Sequence, residues 1–194
     1  MTIDHYSTVE NVFRQHIQVV EQISSELTQT IIDTSLVIAK IIDNGGTVFW
    51  CGNGGSAAES QHLAAELIGR FESNRRPLRS LALTTDSSVI TCIANDYGYE
   101  NVFARQVNAL ASSADVLIAI STSGNSENVV RALNSAREMG TTTVALLGKG
   151  GGAAGEMADH RILVDSDSTA RIQEAHAVIG HILCELVEEE LGLA

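Results

Sequence analysis

Apolar residues fall at Val12, Ile17, Val20, Ile23, Leu27, Ile31 and Leu36, close to helical period. The chain from about Ser7 to Asp43 is therefore expected to be helical, with a break near Asp33-Thr34. Asn44-Gly45-Gly46 then ends it, with glycine where a helix stops. After that the pattern changes. Short apolar runs at Thr47–Cys51, Leu81–Leu83, Val116–Ile120, Thr143–Leu147 and Arg161–Val164 read as strands. Helical stretches alternate with them: Ala57 to Leu67, Ser87–Ala94, the stretch running through Met139, and Ala170 to Leu191. Gly148–Gly152 reads as a loop, and the sole proline, Pro77, lies in the polar link Asn74–Arg79. Strands of this kind alternating with helices predict an α/β fold: a five-stranded parallel sheet flanked by helices and preceded by a long N-terminal helix. Ligands in such folds bind at the loops that follow the strands.

At 194 residues the chain is expected to be one domain over 1–194, with 1–44 an added helical segment. The longest apolar runs are far short of the ~20 residues that cross a bilayer. Met1 to Gln15 carries Asp4, His5, Glu10 and Arg14 and no apolar signal-peptide core. These features predict a soluble, cytoplasmic protein. Twelve Lys and Arg against 24 Asp and Glu give a formal net charge of −12. That disfavours nucleic acid and anionic membranes as partners, since both select a positive surface. It leaves open a single phosphate held by local backbone N–H groups. Cys51, Cys92 and Cys184 are odd in number, unpaired in spacing and set in apolar segments, so buried free thiols are expected.

The loop Ser121-Thr122-Ser123-Gly124-Asn125-Ser126 stands between a strand and a helix. It offers four hydroxyls in six residues, with a glycine that permits a tight turn. The helix start adds unpaired N–H donors and a partial positive charge. That composition suits a phosphate monoester. Ser123 or Ser126 could simply cap the helix, but capping needs one hydroxyl and not four. The loop lacks the Gly-Lys-Ser/Thr of a P-loop, and Gly52-Asn53-Gly54-Gly55 is not a dinucleotide fingerprint.

His62 and Glu66 stand four apart on one helix, one turn from each other on the same face. Gln173 and His181 are eight apart on the last helix, about 80° different in direction, and so share a broad face. His176 lies about 140° round from His181. A carboxylate and an imidazole in one polar pocket can move protons beside a carbonyl, the chemistry of an aldose–ketose isomerase. The same four residues also form a metal-ligand set, with glutamine the unusual member. The alternatives are plain: an i, i+4 surface pair, and a core histidine at His181, flanked by Ile179, Ile182 and Leu183.

Five segments together resemble the phosphoheptose isomerase family of sugar isomerase (SIS) domains. They are C-G-N-G-G-S at Cys51–Ser56, H-L-A-A-E-L-I-G-R-F at His62–Phe71, A-N-D-Y-G-Y at Ala94–Tyr99, I-S-T-S-G-N-S at Ile120–Ser126 and R-I-Q-E-A-H at Arg171–His176, followed by His181. The resemblance implies a three-layer SIS fold and conversion of sedoheptulose 7-phosphate into glycero-manno-heptose 7-phosphate, the first step towards the heptose of bacterial surface glycolipids. It implies Glu66 as base and His181 as proton shuttle. It implies His62, Glu66, Gln173 and His181 as ligands of one zinc per subunit. Substrate contacts would be Asn53, Gly54, Gly55, Ser56, Asn95, Asp96, Ser121, Thr122, Ser123, Ser126 and Gln173. It also implies a homotetramer with active sites between subunits.

Ala170 departs from the Asp that family members often carry before R-I-Q. S-A-A-E-S-Q-H at Ser56–His62 and T-A-R-I-Q-E at Thr169–Glu174 resemble a sister branch that binds the bacterial replication initiator. Members of that branch would be expected to lack the glutamate and the late histidine. Glu66 and His181 are both present, which favours the enzyme.

Overall fold

The computed structural model describes residues 4–194. Residues 1–3 of the 1–44 segment lie outside the described residues. The N-terminal helical stretch is two helices, α1 (His5–Glu26) and α2 (Thr28–Asp43). Asp4 caps α1, its carboxylate accepting from the N–H of Tyr6 and Ser7 at 3.1 and 3.3 Å. The break falls at Leu27, which ends α1 and starts α2, and not at Asp33-Thr34. The Thr28 hydroxyl donates to the Ser24 carbonyl at 2.7 Å, a side-chain bond that competes with the helical ladder. At the expected position the Thr34 hydroxyl bonds Thr30 in the same way, yet the helix runs on through it.

The sheet comprises β1 (Val48–Gly52), β2 (Ser80–Ala82), β3 (Val116–Ser121), β4 (Thr142–Gly148) and β5 (His160–Val164). All pairings are parallel, in the order β2-β1-β3-β4-β5. Five further helices follow the strands in chain order: α3 (Gly55–Ile68), α4 (Ser87–Tyr97), α5 (Ala104–Leu110), α6 (Glu127–Glu138) and α7 (Gly152–Met157). The long α8 (Thr169–Glu190) closes the chain. This is an α/β SIS fold with helices on both faces.

Successive strand residues point to opposite faces, so the sheet feeds two cores. Val48, Trp50, Val116, Ile118, Val144 and Leu146 pack with α2, α3 and α8. Phe49, Cys51, Leu117, Ala119, Ala145 and Leu147 pack with residues of α4 to α7. Burial on both faces explains why the strands read as unbroken apolar runs. α5 and α7, seven and six residues long, carry too little periodicity to be seen in the sequence. Tertiary contacts hold them: Gln106 donates to the carbonyls of Leu83 and Val102, and the Ala154 N–H donates to the Gly124 carbonyl.

Cys51 and Cys184 are buried as expected, and burial pushes both thiols up to about 12. Cys92 is exposed, contrary to expectation. α4 buries only Ile93, so its neighbour faces outward. No described helix is long and apolar enough to cross a membrane.

Candidate functional site

The strand order reverses direction between β1 and β3, and open α/β sheets bind ligands in the crevice at that point. Gly52 pairs with Ile120, so Asn53 and Ser121 leave adjacent strands at one level. Their loops are tied together across this crevice. Asn53 and Asn128 exchange two side-chain hydrogen bonds, each 2.8 Å. The Tyr99 hydroxyl also donates to Asn53 Oδ1, at 3.0 Å.

The serine loop is built around Ser121. Its hydroxyl lies 3.4 Å from that of Ser123 and 3.3 Å from that of Ser126, and accepts from the Gly124 N–H at 3.1 Å. Ser126 occupies the cap position of α6, yet its side chain makes no capping bond. The hydroxyls of Ser121, Ser123 and Ser126 thus form one cluster at a helix start, as a phosphate site needs. Gly124 has φ +65°, and a Cβ there would run into the backbone of Gly151. Only glycine lets the two loops touch.

Gly54, Gly55 and Ser56 open α3, where Ser56 is buried and the Gln173 amide lies directly over Gly55. Farther along, α3 and α8 run side by side. Gly180 permits their approach, since a Cβ there would stand 2.6 Å from Leu63 Cδ1. His62 and His181 meet there with Nε2 atoms 2.7 Å apart. His62 Nδ1 lies 3.6 Å from Glu66 Oε1. One ligand atom from each of His62, Glu66 and His181 lies within 4.8 Å of the others. His181 is thus a partly exposed member of this cluster and not the core residue its apolar neighbours suggest. His176, as expected, turns away and is buried against the Leu147 carbonyl.

The cluster has a rigid floor. Glu188, 2% exposed, accepts from the N–H of Phe71, Glu72 and Ser73 and from Arg75 Nε at 2.7 Å. Burial alone would raise its pKa, but the Phe71 and Ser73 amides and Arg75 outweigh that and hold it low. Arg75 in turn donates to the Glu66 carbonyl at 2.8 Å, and the Phe71 ring lies 5.4 Å from that of His181.

Comparison with known proteins decides what this arrangement belongs to. Residues 12–148 match the family model described as SIS domain. The phosphoheptose isomerase of Aquifex aeolicus is 49% identical over 181 residues, covering 93% of this chain and 95% of its own. That of Geotalea daltonii is 48% identical over 183 residues, covering 94% and 95%. The chain belongs to the phosphoheptose isomerase family of SIS domains. Among solved structures, a phosphoheptose isomerase from Francisella tularensis superposes with a TM-score of 0.93 at 36% identity, covering 96% of this chain and all (100%) of that one. Phosphoheptose isomerase GmhA from Neisseria gonorrhoeae gives 0.88 at 38% identity, covering 94% and 98%.

Membership of this isomerase family gives the pieces a common purpose as a sugar-phosphate isomerase. Three of the four residues implied as metal ligands come together in one chain, and two imidazoles with a carboxylate suit a zinc ion with an open position. Gln173 precedes His181 by eight residues, about 12 Å along the helix axis, and in this chain its amide lies over Gly55 at the crevice. Asn95 and Asp96 lie exposed on α4, with the Asn95 amide donating to Asp96 at 2.7 Å. The partnership of Asn128 and Tyr99 with Asn53, and the Arg75–Glu188 pair (exposure 1% and 3%), lie beyond the sequence reading. Asn53 and Tyr99 stand inside quoted motifs and Asn128 and Arg75 just beyond them, while Glu188 lies well past the last; nothing local in the sequence signals either long-range pairing.

Proposed function

We propose that this isomerase interconverts D-sedoheptulose 7-phosphate and D-glycero-D-manno-heptose 7-phosphate through an ene-diol, in the cytoplasm, as the first step towards ADP-heptose and the lipopolysaccharide core. The observation that carries this is the convergence of Glu66, His62 and His181, in a family of isomerases. The cluster is an acid–base set, which a scaffold for an initiator protein would not need.

The phosphate sits on Ser121, Thr122, Ser123 and Ser126, and the sugar chain runs past Asn53, Ser56 and Gln173. Glu66 removes the proton from C1 of the ketose and returns it to C2. His181 takes the O1 proton and delivers it to O2, so atoms balance and no co-reactant is consumed. Bound zinc on His62, Glu66 and His181 would supply charge stabilisation for the developing oxyanion. Without zinc, His62, its Nε2 2.7 Å from that of His181, orients that ring.

The working unit on this reading is a homotetramer with sites between subunits. Two features support it. His62 lies seven residues beyond Gly55, about 10 Å along α3, so the cluster stands away from the crevice end of its own helix. Also, α1 buries only Ile23 and leaves an apolar surface with Tyr6 75% and Phe13 64% exposed, as a helix awaiting a partner does.

The deciding experiment incubates the protein with sedoheptulose 7-phosphate, with and without zinc, and follows the aldose by NMR. Aldose formation is expected. Inactivity under both conditions rejects the reading.

A further inference from the structure

Between the start of α3 and α8 lies a small cavity of about 90 Å³, lined by Gly55, Ser56, Glu59, Ile120, Gln173 and His176. Two polar atoms of its lining residues, Glu59 Oε1 and His176 Nδ1, are buried and have no hydrogen-bond partner among the described residues. His176 is only 1% exposed.

The role of His176 is fixed by its neighbour. His176 Nε2 lies 3.1 Å from the Leu147 carbonyl oxygen, which can only accept. The ring hydrogen is therefore on Nε2, and Nδ1 presents a lone pair. Burial supports this by pushing the imidazole pKa down to about 4, so the ring is neutral. Burial raises the Glu59 carboxyl pKa while His62 and His181 pull it back, and in its ionised form Glu59 presents only accepting oxygens. Two unpartnered acceptors on residues that line one cavity are both met by a ligand with two hydrogens. A single sugar hydroxyl has one, so meeting both acceptors would take two neighbouring hydroxyls of the substrate. Water has two, and its oxygen can accept from the Gln173 amide. The volume is several times the roughly 10–15 Å³ that one water requires, so the cavity has room for this water and others.

We propose that this cavity is a water site, with Glu59 and His176 as its fixed acceptors, and that the bound water holds the Gln173 side chain at the crevice. Glu59 and His176 are then positioning residues, acting on Gln173 without touching the sugar. The effect on catalysis rests on the substrate reading above; the water site itself does not.

A crystal structure without sugar phosphate, at a resolution that shows waters, tests the site. Density within about 3.2 Å of both His176 Nδ1 and the Glu59 carboxylate is expected. A dry cavity, a direct Glu59–His176 bond, or density appearing only after soaking with sugar phosphate overturns it. Kinetics then test the positioning role. Glu59→Leu fills the cavity with apolar atoms and should raise KM about tenfold, the scale of one lost hydrogen bond, with kcat changed less than about twofold. Glu59→Gln, which keeps a polar group there, should restore KM. An unchanged KM in Glu59→Leu, or a fall in kcat alone, rejects the positioning role while leaving the crystallographic result to stand or fall separately.

Discussion

The side-chain amides of Asn53 and Asn128 face each other across the switch point, each donating to the other's oxygen at 2.8 Å. Asn53 Oδ1 takes a second bond from Tyr99, and flipping this amide alone breaks both bonds to Asn128. The second Asn53 N–H takes no part in these bonds. Asn128→Leu should free that amide and raise KM for sedoheptulose 7-phosphate about tenfold, with kcat within about twofold. Asn128→Asp should behave similarly, because a carboxylate can accept from Asn53 but cannot donate to it. Steady-state kinetics decide, and an unchanged KM would reduce the pair to scaffolding.

Ser123→Ala combined with Ser126→Ala removes two of the clustered hydroxyls while keeping the backbone turn. KM should rise by about 100-fold, on the scale of two lost hydrogen bonds to a charged group. Isothermal calorimetry with the sugar phosphate should show the same loss. Equal affinity in the double variant counts against the loop as the phosphate site.

Glu66→Gln keeps the size of the side chain and removes its basicity. The melting temperature should stay within a few degrees, and kcat should drop by about 10²–10⁴-fold. Near-normal turnover would transfer the role of base to another group.

Metal content separates the one-chain geometry from the family resemblance. His62→Ala and His181→Ala should each lose bound zinc in elemental analysis of the purified protein. Gln173→Ala should retain most of it, since Gln173 lies over Gly55 and away from the cluster. Loss of zinc in that variant would place a glutamine, in its own chain or a neighbouring one, on the ion.

Burial depresses the His176 pKa from 6.5 to about 4. The folded chain keeps this ring neutral, while the unfolded chain takes up a proton below about pH 6.5. Stability is therefore highest above that pH and falls as pH drops towards 4, by on the order of 3 kcal/mol. Thermal melts from pH 7 to 4 should show this slope, and His176→Gln should flatten it.

Much of the fold is legible in the pattern of residues, for a physical reason. A strand buried on both faces must be apolar throughout, so Val116–Ile120 and Thr143–Leu147 declare themselves. The α1–α2 break escapes that pattern because it depends on one backbone position, Leu27, and not on periodicity. The serine loop and the His62–Glu66 pair are legible because they are local. His181 is not legible by spacing, since its helix neighbours are apolar, and only the resemblance singles it out. The Asn53–Asn128 pair depends on β3 lying beside β1, which no local pattern states.

The contact between Gly124 and Gly151 bears on the thermodynamics of ligand capture. Gly124 carries φ +65° and Gly151 φ +85°, and the Asn125 carboxamide further accepts from the Ala153 N–H at 3.1 Å. The two loops are interlocked before any anion arrives. The entropy of ordering the cradle is spent when the chain folds and not when the sugar phosphate binds. Binding should then be fast and show a small heat-capacity change, as for a rigid receptor, and the affinity of the loop should track its hydroxyls more than its conformational freedom.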